Sequence, residues 1–116
     1  MNLPQAVNSV FSNYATFSTR ASRSEYWYFT LFVVLAEIVL QVLDQGLNSG
    51  GVLQGLFALG TFVPQFAVAV RRMHDIGRRG RWILLGFLPV IGWIWLLILL
   101  CKPGDAGPNL YGPPPP

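Results

Sequence analysis

The chain has 116 residues, 53% hydrophobic and 11% charged, with a formal net charge of +3. Soluble folds carry about a quarter charged residues, so a soluble domain of this size would leave much apolar surface uncovered. The basic balance does not mark a nucleic-acid binder, because Arg20, Arg23, Arg71, Arg72, Arg78, Arg79 and Arg81 sit in two short clusters directly beside long apolar runs.

The N-terminal stretch lacks the basic start and cleavage site of a secretory signal, so the N-terminus is expected to be retained. Leu3, Val7, Val10, Tyr14 and Phe17 alternate at spacings of four and three with polar residues between, which predicts an amphipathic helix over 3–17. Pro4 suits its first turn. Without a Lys or Arg before Arg20 it is a weak surface anchor, and it is expected either at the interface or along the other helices. Ser22 and Glu25 have capping-box spacing, so a helix should start there, with Ser22 accepting from the Glu25 N–H and Glu25 reaching back.

Residues 26–43 are apolar apart from Thr30, Glu37 and Gln41, and eighteen helical residues cover about 27 Å, close to a bilayer core. Tyr26, Trp27 and Tyr28 would form an interfacial aromatic belt. A Gly-rich linker leads to a second apolar stretch over 52–70, in which Pro64 should introduce a kink. The third stretch, 82–101, is the most hydrophobic, and we expect a full span. The alternative is a re-entrant turn at Pro89–Gly92, whose arms would each reach about 12 Å and whose backbone would need cover from protein. The expected architecture is therefore an all-α membrane protein, with three transmembrane helices and an N-terminal amphipathic helix in one domain over 1–112. Residues 113–116 form a proline tail expected to be disordered.

Seven arginines flank one side of these spans and Lys102 alone the other, which predicts a cytoplasmic N-terminus and an external C-terminus. Three blocks stand out in order: Phe17-Ser-Thr-Arg-Ala-Ser-Arg-Ser-Glu-Tyr-Trp27, Arg71-Arg-Met-His-Asp-Ile-Gly-Arg-Arg-Gly-Arg-Trp82, and Gly104 through Pro108-Asn-Leu-Tyr-Gly112. Together they resemble the DUF805 family of bacterial inner-membrane proteins, over roughly Phe17 to Gly112. The resemblance implies a multi-pass inner-membrane protein with no assigned biochemical activity; the residues themselves give no reason to expect a cofactor. The family pattern has a small residue where Arg79 stands and a tryptophan where Arg81 stands, so this loop is more basic than the pattern.

Residues 71–81 hold five arginines and one acid. Setting the topology accounts for most of that charge. Arg71, Arg72, Arg78, Arg79 and Arg81 are also candidate ligands for an anionic lipid headgroup or a partner's phosphate, because guanidinium forks bind phosphate bidentately. His74 beside Asp75 suggests catalysis only weakly, since neighbouring helical residues diverge by about 100° and no Ser or Cys nucleophile lies near. Asp75 is better read as a structural brace to Arg20 or Arg23. One histidine and Cys101 as the one cysteine cannot assemble a zinc site of His and Cys ligands within a chain. No catalytic or metal residues are expected.

Glu37 would lie near mid-bilayer, where a charge costs about 3 kcal/mol, so it should be protonated or paired. Equal depth points to Thr61 and Trp93 as donors to it, with Gln41 one turn further along. The functional expectation is a non-enzymatic scaffold or regulatory subunit that contacts anionic lipid or a membrane-protein partner through its basic loop and self-associates through polar spots. The alternative is a small transporter or channel component using Glu37.

Overall fold

A computed structural model describes residues 2–115. The elements are α1 (Leu3–Ser12), α2 (Arg23–Leu47), α3 (Val52–Asp75), a 3-10 helix (Gly80–Phe87) and α4 (Ile91–Cys101), with no β-strand among the described residues. Two of these, α2 and α3, are long and apolar enough to cross a membrane. Their 25 and 24 residues each extend over about 36 Å, more than a hydrocarbon core of about 30 Å. They pack as a hairpin.

Each helix start has a local cause. Asn2 caps α1, accepting from the Gln5 N–H at 3.0 Å while the Gln5 side chain accepts from the Asn2 N–H at 3.1 Å. The expected helix over 3–17 ends sooner, at Ser12, where the Asn13 N–H turns back to Ser9 and Val10. At α2, Ser22 Oγ accepts from the Glu25 N–H at 3.1 Å. The return half of that expected box is not made, because the Glu25 carboxylate goes to Arg71 instead.

The N-terminus of α3 has no cap of its own, since its N-cap position is Gly51. Asp44, a buried residue of α2, supplies one across the turn, its two carboxylate oxygens accepting from the Leu53 and Gln54 N–H groups at 3.0 Å each. Ser49 Oγ also donates to Asp44, at 2.6 Å. Replacing Asp44 with Ala is expected to cost about 1–2 kcal/mol, measured as unfolding in detergent. Rescue by Asn, which keeps one acceptor, would tie that loss to capping.

Helix α1 lies along α2 and α3. Phe11 meets Phe29 edge-on at 5.6 Å and Phe32 at 6.4 Å, and Val10 and Phe29 belong to one buried cluster with Ala21 and Val68. The Tyr14 hydroxyl donates to the Gly60 carbonyl. Gln5, Asn8 and Ser12 remain exposed on its outer side.

The third expected span, 82–101, is not one helix. It is split into the 3-10 helix and α4, joined at Leu88–Val90, where Val90 takes φ 63. Both outer ends lie at the arginine-rich end of α3. A Cβ on Gly80 would be 2.7 Å from Val70, while the Leu100 and Lys102 carbonyls accept from Arg72. The segment is therefore a hairpin, and the expectation of a three-span chain with its C-terminus on the opposite side is corrected. The hairpin serves its own backbone: 3-10 bonding pairs groups three residues apart, and Trp93 Nε1 donates to the Gly86 carbonyl at 2.9 Å. Of the proline tail, Pro116 lies outside the described residues.

Candidate functional site

The last turn of α3 carries a run of buried residues, Arg71, Arg72, Met73, His74 and Asp75. Buried arginines need acceptors: the first turn of α2 and the C-terminal end of the chain supply them, while the segment before α2 brings in a third guanidinium, that of Arg20.

Asp75 is the centre, 4% exposed. Its Oδ1 receives Arg20 through Nε and Nη2, both at 2.9 Å, and its Oδ2 receives Arg72 Nη1 at 2.8 Å. Arg20 also donates to the carbonyls of Asp105 at 2.6 Å, Gly107 at 2.9 Å and Gly112 at 3.2 Å. Arg72 donates to the Leu100 carbonyl at 3.2 Å and to that of Lys102. The tail thus solvates both guanidinium groups with backbone carbonyls, as water would outside.

Arg71 forms a separate pair with Glu25 at 2.8 Å, and its main chain accepts from the Ala21 N–H at 3.0 Å. Its Nε and Nη2 are buried without a hydrogen-bond partner. Three guanidinium groups face two carboxylates, so the cluster holds an excess positive charge. That excess is spread over the carbonyl ring, which stabilises cations without adding a formal charge.

His74 completes the lock on the tail. Its ring stacks on Tyr111 at 3.9 Å with the planes 1° apart, its Nδ1 lies 3.0 Å from the Thr19 carbonyl, and its own carbonyl accepts from Asn109 at 2.9 Å. The ring faces a phenol and a carbonyl. Gly104 passes so close to Asp75 that a Cβ there would be 2.0 Å from the carboxylate, and Gly77 uses φ +76 to turn the chain out of α3.

The sequence-derived residues separate into groups. Arg20 meets Asp75, whereas Arg23 is exposed and donates to the Cys101 carbonyl at 3.2 Å, so of the two brace candidates Arg20 makes the contact. The five-arginine anion site does not form as a unit. Arg71 and Arg72, 2% and 0% exposed, are committed to internal partners, and only the loop arginines face outward. Arg78 lies over the Trp82 ring, 4.5 Å from its centre. Arg79 and Arg81 are exposed with no carboxylate partner among the described residues.

Nor does the expected polar group around Glu37 assemble. Thr61 donates to the Phe57 carbonyl at 2.8 Å and accepts from Gln65 at 2.9 Å, and Trp93 bonds to Gly86. Gln41 is exposed, and near Glu37 it is Gln54 that donates, to the Glu37 carbonyl at 3.5 Å. The contributions of Thr19, Asp105 and Asn109 went unread. The last two share the tail block with Gly112, whose common order with the arginine blocks was the available signal.

No solved structure gives a significant match to this chain. It is 44% identical over 108 residues to inner membrane protein YhaI of Escherichia coli strain K12, covering 92% of each. It is 38% identical over 111 residues to inner membrane protein YhaH of the same strain, covering 91% of this chain and 92% of that one. Residues 14–113 match the family described as protein of unknown function DUF805, a range that takes in every partner of the Arg20–Asp75–Arg72 cluster, and the chain belongs to that family.

Proposed function

We propose that this chain is a non-enzymatic inner-membrane protein, a scaffold or regulatory subunit whose arginine-rich end faces the cytoplasm and holds an anionic lipid phosphate. The observation that carries the reading is the division of the second loop. Arg71 and Arg72 are consumed in buried ion pairs, while Arg78, Arg79 and Arg81 form no ion pair with a carboxylate among the described residues.

Arg81 borders a cleft of 320 Å³ lined otherwise by Trp82, Leu84, Leu85 and Leu88. A guanidinium above an apolar wall suits a phosphate headgroup with its acyl chain below. Each basic residue near an anionic leaflet contributes about 1 kcal/mol, so three act together with real effect. The inner-membrane names of the two relatives and the length of α2 and α3 support the location.

The scaffold reading draws on α1. Phe11 packs on Phe29 and Phe32, which sets α1 against α2 with Gln5, Asn8 and Ser12 exposed, at a depth where lipid tails offer no hydrogen bonds. A protein surface, from a second copy or another membrane protein, fits that face better. The local commitment of Thr61 and Trp93 favours this reading over transport through Glu37.

Arg78→Ala, Arg79→Ala and Arg81→Ala combined are expected to lower co-purified phosphatidylglycerol and cardiolipin while membrane integration is unchanged. Bound lipid should fall with added salt in the wild type and depend less on salt in the variant. Undiminished anionic lipid in the triple variant would count decisively against the proposal.

A further inference from the structure

The hairpin makes the molecule asymmetric across a bilayer. The 3-10 helix has 8 residues and α4 has 11, so each arm is about 16 Å long. Both arms are tied to the arginine-rich end, through Gly80 against Val70 and through the Leu100 and Lys102 carbonyls on Arg72. Arms of that length, starting from one surface, reach no further than the middle of a core about 30 Å thick. The hairpin therefore belongs to one leaflet.

The opposite leaflet holds much less protein. Beyond Leu40, the deepest α2 residue lining the cleft beside Leu3, the far ends of α2 and α3 have only each other. Val42, Leu47 and Val52 there are 63%, 69% and 56% exposed. The near leaflet contains the same two helices plus both hairpin arms, whose Phe87 and Ile91 are 83% and 76% exposed. Arg78, Arg79, Arg81 and Lys102 fall on this wide side.

We infer that the chain is a wedge that prefers membrane convex on its arginine-rich side. A body wider in one leaflet displaces more lipid there, and bending toward that side relieves the mismatch. By reciprocity, membrane already bent that way lowers the free energy of the inserted chain. The inference rests on bilayer insertion as proposed above, but not on lipid charge.

The test uses the full chain, fluorescently labelled, in giant vesicles of phosphatidylcholine alone, from which an outward membrane tube is drawn. Membrane-impermeant maleimide on the exposed Cys101 reports which molecules have the arginine-rich end outside. Those molecules are expected to be enriched several-fold in the tube, and molecules of the opposite orientation depleted. Phe87→Ala, Ile91→Ala and Trp95→Ala combined trim the hairpin at exposed positions and should reduce the enrichment.

Equal density in tube and vesicle for both orientations would overturn the wedge, as would undiminished sorting by the trimmed variant. Sorting in neutral lipid alongside normal lipid loss in the loop-arginine variant supports it. Failure of headgroup binding with sorting intact would remove the anionic-lipid reading alone. Chain that washes off the vesicles with alkaline carbonate would remove both.

Discussion

Asp75→Asn is expected to destabilise the chain by about 3–5 kcal/mol and to release the C-terminal tail, because it removes the counter-charge shared by two buried guanidinium groups. The substitution keeps the shape and one carbonyl acceptor, so the loss reads charge rather than packing. Arg20 and Arg72 both point at this carboxylate, at 2.9 and 2.8 Å. The cluster already holds three cations against two anions, and Asp75→Asn widens that excess. Arg20→Gln moves the balance the other way, so the double variant should lose less than the two single losses added together. Unfolding in detergent measures the cycle, and hydrogen exchange over 104–112 reports the tail. Strict additivity would show that Arg20 and Asp75 do not act through each other.

The two helices long and apolar enough to cross a membrane could be read from the sequence because their signal is local: apolar runs of membrane length, closed by Ser22 at one end and the glycine-rich linker between them. Asp75 could be read as a brace for a similar reason, being the one acid in a basic loop. Its choice of Arg20 over Arg23 could not. Arg23 is the first residue of α2 and projects to the α4 terminus, whereas Arg20 precedes the helix on chain that the Ala21 N–H ties to the Arg71 carbonyl at the end of α3.

Other features depend on tertiary geometry. Asp44 looks like a linker residue until the turn folds and presents the bare N–H groups of Leu53 and Gln54 to it. Glu25 has capping-box spacing, yet a buried guanidinium outcompetes a backbone N–H for its carboxylate. The Asn2–Gln5 box was visible as Asn-x-x-Gln before an apolar period and is a missed local signal.

Hydropathy reads the same for a span and a hairpin over 82–101, so the decision rests on Gly92. A Cβ there would lie 1.8 Å from the Leu85 carbonyl oxygen and 2.8 Å from the Leu88 Cβ. The nearest obstacle is backbone, which cannot rotate aside as a side chain does. Gly92→Ala is therefore expected to reach the upper end of overpacking losses, about 3 kcal/mol, by forcing the arms apart. Gly55→Ala is the matched control: nothing lies within 4 Å of its Cβ position, and within α3 it gains up to about 1 kcal/mol of helix propensity. The arms are pinned at their outer ends by Arg72 and Val70, so splaying should occur at Leu88–Val90 and break the Trp93 bond to Gly86. Faster exchange at the Trp93 indole, with Cys101 still labelled from the side of the loop arginines, is the expected result. If Gly92→Ala proves as stable as Gly55→Ala, the arms do not pack against each other. The segment would then be free to cross the bilayer as a third helix, and the wedge would lose its wide side.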